Sequence, residues 1–164
     1  MGLYTQGREA NSRISARSSL MPKVSAQTRI LMVCDDDSIT ERLQTALQEA
    51  GLTSECARTM TAGCTSARSG QFQVVFTTAV LGDGSWRRLA DIASQYDLGF
   101  AIVLVARNPD FNQRAQALED GAFDVLDILH ELPRTTEATT SALWAAYLKG
   151  AGPCPEVIGH PMAA

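Results

Sequence analysis

Asp35 and Asp36 stand side by side where an apolar run, "RILMVC", gives way to a helical pattern. Two carboxylates at a strand end can hold a hard cation such as Mg²⁺, which takes one or two carboxylates and keeps several waters. The same pair would also be stabilised by position alone, since negative charge at a helix N-terminus gains about 0.3–1 kcal/mol per group. A second stretch, "QFQVVFTTAVLGDGSW" from Gln71 to Trp86, has the form of a buried strand running into a Gly-rich turn. At its exit stand Thr77 and Thr78, with no acid. A threonine hydroxyl is a poor nucleophile without an adjacent base. The two histidines are His130 and His160, and neither completes a Ser-His-Asp or Cys-His arrangement; no Walker-type phosphate loop is present. These features argue against an enzyme.

The elements that would position these residues follow from periodicity. "RILMVC" reads as a fully apolar strand, followed by a helix with Ile39, Leu43, Ala46, Leu47 and Ala50 on one face. Ser38 and Glu41 have capping-box spacing, and Gly51 supplies the stop. "TSECA" is a second strand, and Thr59 caps a short helix carrying Met60, Cys64 and Ala67. "FQVVF" is the third strand; Trp86, Leu89, Ala90, Ala93 and Tyr96 mark the next helix. "AIVLV" is a fourth strand, apolar enough to be buried on both faces. Asn108 as cap and Pro109 at the first helical position open a helix with Phe111, Ala115 and Leu118 inward, ended by Gly121. "FDVLDI" is a fifth strand. A last helix over residues 135–149 turns Ala142, Leu143 and Ala146 inward. Apolar strands in strict alternation with amphipathic helices predict an α/β fold: a doubly wound, five-stranded parallel sheet of order 2-1-3-4-5, flanked by five helices. Such a fold puts its site beyond the carboxyl ends of the strands, at the switch point between the first and third, where Asp35 and Asp36 meet Thr78.

The chain has 164 residues and a net charge of −4, the size and composition of one globular domain. Its charge is uneven: residues 1–30 hold five basic residues against Glu9 alone, which leaves 9 basic and 17 acidic residues in the remainder. An acidic body excludes nucleic acid as the expected partner. No apolar run is long enough to span a bilayer, and the start lacks a signal-peptide core. Cys34, Cys56, Cys64 and Cys154 have neither CxxC nor Cys/His spacing, so reduced thiols in a cytoplasmic protein are expected rather than a zinc site. Residues 1–28 read as a disordered basic tail, 29–149 as the folded domain and 150–164 as a flexible tail. Met1 and Met21 both remain open as the natural start, and the domain is open as a stand-alone protein or a fragment of a longer one.

Four stretches together, "RILMVCDDDSITERL", "LGDGSW", "AIVLVA" and "ALEDGAFDVL", make residues 29–149 resemble the receiver domains of two-component response regulators, which have a flavodoxin-like fold. The resemblance implies a metal-binding acidic pair at Asp35 and Asp36. It puts the phospho-accepting aspartate at Thr78, with Thr77 as the register alternative. The phosphoryl-binding Thr or Ser falls on Val105, the Lys on Ile128 and the aromatic switch residue on Val125. The acceptor and both phosphoryl contacts are therefore absent, and Asp83, five residues past Thr78, is not expected to replace the acceptor. What the resemblance implies is a degenerate receiver, a pseudo-receiver that needs no cofactor, binds Mg²⁺ weakly at most and serves bacterial two-component-type phosphorelay signalling through protein–protein contacts. Its partner, a signalling protein or a second copy, would use the face of the fourth helix, fifth strand and fifth helix, around Phe111, Leu118, Trp144, Tyr147 and Leu148. Trp144 is equally readable as packed core. A redox or small-molecule sensor on the same fold is the alternative, with Cys34 and Cys56 on neighbouring strands.

Overall fold

The computed structural model describes residues 28–155. Five parallel strands form its sheet: β1 (Ile30–Val33), β2 (Ser54–Ala57), β3 (Val74–Thr78), β4 (Ala101–Ala106) and β5 (Asp124–Asp127). Their spatial order is β2-β1-β3-β4-β5, the expected 2-1-3-4-5 arrangement. Helices α1 (Asp37–Glu49), α2 (Met60–Ala67), α3 (Arg87–Gln95), α4 (Phe111–Glu119) and α5 (Thr135–Leu148) connect and flank them. A small antiparallel hairpin, Val80–Leu81 against Gly84–Ser85, forms within the Gly-rich turn after β3.

The strands are buried on both faces because each face has its own helical layer. Ile30, Met32, Val74, Phe76, Val103, Val105 and Leu126 pack with Ile39, Leu43 and Leu47 of α1 and Ala142 and Leu143 of α5. On the other face Leu31, Val33, Val75, Ile102, Leu104 and Val125 pack with α2, α3 and α4 through Met60, Cys64, Leu89 and Ala117. This is why β1, β3 and β4 read as continuous apolar runs rather than alternating ones. Edge strand β2 is the exception, with Glu55 and Cys56 exposed.

Helix starts depart from expectation. Asp36, not Ser38, caps α1: its carboxylate accepts hydrogen bonds from the Ser38 and Ile39 amides. Asp110 caps α4 in a reciprocal box with Gln113, while Asn108 takes a left-handed backbone at φ 50°. The helix therefore begins two residues later than Pro109. That start turns Ala117 inward and leaves Phe111, Ala115 and Leu118 exposed. Helical spacing had identified their common face correctly; it carries no information about which side of the helix meets the sheet. Thr59 caps α2 as expected, accepting from the Ala62 amide. Trp86, just before α3, and Leu89 within it are buried, but Tyr96, just after it, is exposed and lies under the Arg68 guanidinium.

The packed domain also runs past the boundary expected at Lys149. Gly152 lies against the side chain of Gln73, and Pro155 is buried. Ala151 and Gly152 of the expected flexible tail thus touch the body of the domain, near Gly99 and Gln73. The remainder of that tail, and the basic segment up to residue 27, lie outside the described residues. No described helix is long and apolar enough to cross a membrane.

Gly63 of α2 is where close packing restricts the sequence most tightly. A Cβ there would sit 2.6 Å from a Val33 methyl group. A mid-helix Gly→Ala change ordinarily gains up to about 1 kcal/mol, but overpacking a filled core costs about 1–3 kcal/mol. Val33 is fully buried and has little room to move. Gly63→Ala is therefore expected to lower stability by about 1–2 kcal/mol in urea denaturation, and Val33→Ala in the same chain should return part of that loss.

Candidate functional site

The switch point brings Cys34, Thr78 and Val105 into one lateral row at the carboxyl ends of β1, β3 and β4, as the register pairs Thr78 with Val105 and Val33 with Thr77. Thr77 is buried and its hydroxyl donates to the Thr78 carbonyl at 2.8 Å. Thr78 is half-buried, and its Oγ1, itself buried, makes no hydrogen bond within the described residues. Val105 and Ile128 are both buried, so the wall around that hydroxyl is apolar. A phosphoryl group placed there would lose hydration and gain from these three side chains only the Thr78 hydroxyl as a donor, which is costly for a charged group.

Beside this wall, the acidic pair is engaged in a way the sequence did not reveal. One oxygen of Asp36 accepts the two α1 amides at 2.9 and 3.2 Å. The other takes a hydrogen bond from Arg107 at 2.9 Å. Arg107 lies two residues beyond Val105, in the loop leaving β4. Its guanidinium supplies a positive charge to the acidic corner from within the chain. Asp35 is exposed, and its carbonyl accepts from Arg58, which also pairs with Asp37 at 2.7 Å. This donor set fits bound Mg²⁺ poorly: both Asp36 oxygens are committed, and the third position offers a threonine. Among the described residues, no cluster of three His, Cys, Asp or Glu side chains is placed to hold a metal.

Asp127, which sequence reasoning passed over as part of an apolar strand, is the best-connected carboxylate of the site. It is only 4% exposed. Its Oδ1 accepts from the amides of Asn108 at 3.0 Å and Leu129 at 2.9 Å, and its Oδ2 lies 2.8 Å from His130 Nδ1. Burial alone would raise its pKa. The His130 hydrogen bond and the two amides outweigh that and bring it down to about 2. The Asp127 amide in turn donates to Glu131. Glu131 pairs with Arg114 of α4 at 3.3 Å and with Arg134 at 3.4 Å, and Arg134 also bonds Asp124 at 2.8 Å. Burial pushes the Glu131 carboxyl up, but the Asp127 amide and Arg114 more than offset it. One polar network thus fastens α4, β5 and the start of α5 together. A sequence signal did exist: an Asp in an otherwise apolar strand must find partners if it is buried.

Asp83, as expected, does not reach the acceptor position. Its two carboxylate oxygens accept from the Met60 and Thr61 amides at 2.7 and 2.8 Å, capping α2 from outside the helix and lowering its pKa to about 2. On the expected interaction face, Phe111 is 81% exposed and Leu148 78%, with Leu118 and Tyr147 also exposed. Trp144 falls between its two readings: it is half-buried and meets Tyr147 edge-on at 6.0 Å. Val125 lies buried beneath α4. Cys34 is buried, whereas Cys56 is exposed and pairs laterally with Met32.

The depressed pKa of Asp127 sets a pH dependence. A carboxyl held below its unfolded value of about 3.9 stabilises the fold fully above that value and loses its contribution as pH falls through about 2. Asp127→Asn is expected to melt at lower temperature than the natural protein at pH 7. The gap should close on acidification from pH 5 to pH 2, as followed by thermal denaturation at each pH.

No protein-family model matches the sequence, and comparison with curated proteins gives no match. Solved structures do match. The receiver domain of an HD-domain-containing protein from Pseudomonas fluorescens Pf-5 is 25% identical, with TM-score 0.67 over 78% of this chain and 95% of its own. A signal receiver domain from Vibrio parahaemolyticus is 17% identical, with TM-score 0.68 over 76% and 95%. A response regulator receiver domain from Clostridium thermocellum is 19% identical, with TM-score 0.63 over 74% and 98%. The chain has the fold of response-regulator receiver domains.

Proposed function

We propose that this protein is a pseudo-receiver: a cytoplasmic, non-enzymatic module of bacterial two-component-type signalling that binds its partner without being phosphorylated. The observation that carries this reading is the Arg107–Asp36 ion pair at a strand end where Thr78 stands. Phosphotransfer to an aspartate needs an ionised carboxylate nucleophile, and Thr78 offers a hydroxyl without a base. A bound metal would need Asp36, and Arg107 already neutralises it. Val105 and Ile128 leave the product without polar contacts. The site reads as one that has exchanged a removable cation and a removable phosphoryl group for a permanent guanidinium. The outward-facing function is then carried by the exposed side chains of α4 and the end of α5. The exposed Cys56 and buried Cys34 lend no support to a disulfide sensor.

Incubation with acetyl phosphate and Mg²⁺ should give no hydroxylamine-labile adduct by intact mass, and Thr78→Asp alone should not restore a lasting one. Mg²⁺ affinity should be weak, and should rise in Arg107→Ala as Asp36 is released. Partner binding should be the same with and without beryllofluoride and Mg²⁺. A tenfold change, about 1.4 kcal/mol, would mean that the pocket still communicates with the binding face and would overturn the proposal.

A further inference from the structure

An open groove of about 630 Å³ lies between α1 and the start of α5. Ala46 and Ala50 on the α1 side, with Leu132 and Pro133 on the other, give it an apolar lining. Glu41 and Glu49 also line it, and both are exposed. Neither pairs with a cation among the described residues. Arg42 lines the groove as well, but two acids against one base leave it net negative. The groove therefore suits an extended segment with apolar side chains flanked by positive charge.

Where the chain enters the domain identifies that segment. Ile30, at the start of β1, pairs with Ser54, and strands so paired lie about 5 Å apart. Ala50, at the end of α1, is four residues before Ser54, a span of at most about 14 Å. The groove's Ala50 end is thus within about 19 Å of Ile30, and Lys23, seven residues upstream, can reach about 24 Å. The stretch over residues 17–24, "RSSLMPKV", has Leu20 and Met21 between Arg17 and Lys23. Its Pro22 favours an extended backbone. Glu55, the acid beside the chain's entry, is already paired with Arg29 and offers no competing site. We infer that residues 17–24 of this chain lie in its own α1–α5 groove. Lys23 meets Glu49, Arg17 points toward Glu41, and Leu20 and Met21 cover the apolar lining. The order of charges fits, because the chain runs back from Ile30 past Glu49 first. Exposed ion pairs are weak and screened by salt. The apolar pair and the tether sustain the contact, since a short linker holds its segment at an effective concentration of about millimolar. The pseudo-receiver reading does not depend on this docking.

Zero-length cross-linking of the full chain with a carbodiimide tests it. The reagent joins an amine to a carboxylate in contact with it, taking up the water released, and Lys23 and Lys149 are the only lysines. Peptide mass spectrometry of the monomer fraction should find Lys23 joined chiefly to Glu49, with Glu41 next. Leu20→Ser combined with Met21→Ser lies outside the folded domain and removes the apolar contact. It should cut the Lys23–Glu49 yield by about tenfold and leave the links of Lys149 unchanged. Lys23 links spread evenly over other exposed acids such as Glu55, Asp91 and Glu119 would overturn the inference. So would an undiminished Lys23–Glu49 link in the double variant, or a link found only between chains when isotopically light and heavy proteins are mixed.

Discussion

Asp127 is a carboxylate buried at the end of β5, and the geometry of the site depends on how it is satisfied. A buried charge is tolerated only when it is paired and hydrogen-bonded. Here that requirement draws in the Asn108 amide from the loop after β4, the Leu129 amide from the loop after β5, and the His130 ring. The first of these contacts fixes the backbone immediately after Arg107. The Arg107 guanidinium is fixed at its other end by Asp36. The loop between β4 and α4 is thus anchored at both sides of the switch point, once to β5 and once to the start of α1. The left-handed backbone at Asn108 is part of that anchoring, since it turns the amide toward β5. Asparagine tolerates that conformation better than most residues.

The charge network on the outer side extends the same constraint. Glu131 links α4 through Arg114 to the start of α5 through Arg134, and Arg134 reaches back to Asp124 at the head of β5. These pairs are only partly exposed, so they are screened less than surface ion pairs and share acceptors. Removing any one member leaves another with a vacant partner. Arg114 adds a hydrogen bond to the Val125 carbonyl, which holds α4 directly over the strand. Val125 itself is a small, buried side chain.

The fold was largely legible because it rests on burial. Strand runs with apolar residues on both faces, and helices with one apolar face, leave few alternatives to a parallel sheet covered on both sides. The order of strands and the switch point both followed. What the sequence hid was direction. The stripe Phe111, Ala115 and Leu118 was visible as a stripe, but which side of α4 meets the sheet was not. Polar pairing was hidden for a related reason. Arg107 to Asp36 and Asn108 to Asp127 join residues 71 and 19 positions apart, and no local pattern marks such partners. Asp36 shows both effects: its position at a helix start was evident, its role as cap was assigned to Ser38, and its second oxygen's partner was invisible.

A switch requires two states and a ligand that distinguishes them. The strand ends here argue against both conditions at once. On the proposed reading a second state is disfavoured because the loop between β4 and α4 bonds to Asp36 and to Asp127, and α4 is joined to β5 and to the start of α5. The distinguishing ligand is also lost on that reading, because Thr78, Val105 and Ile128 offer a phosphoryl group no charge and only one hydroxyl donor. A ligand with equal affinity for two states shifts nothing, however tightly it binds. Replacing the acceptor alone would therefore restore a reaction without restoring a response. On the same reading, these ties hold α4 in place before binding, and a pre-ordered helix presents its exposed side chains without the ordering cost that a mobile one incurs. Loss of the switch and readiness of the surface would then be, physically, one arrangement.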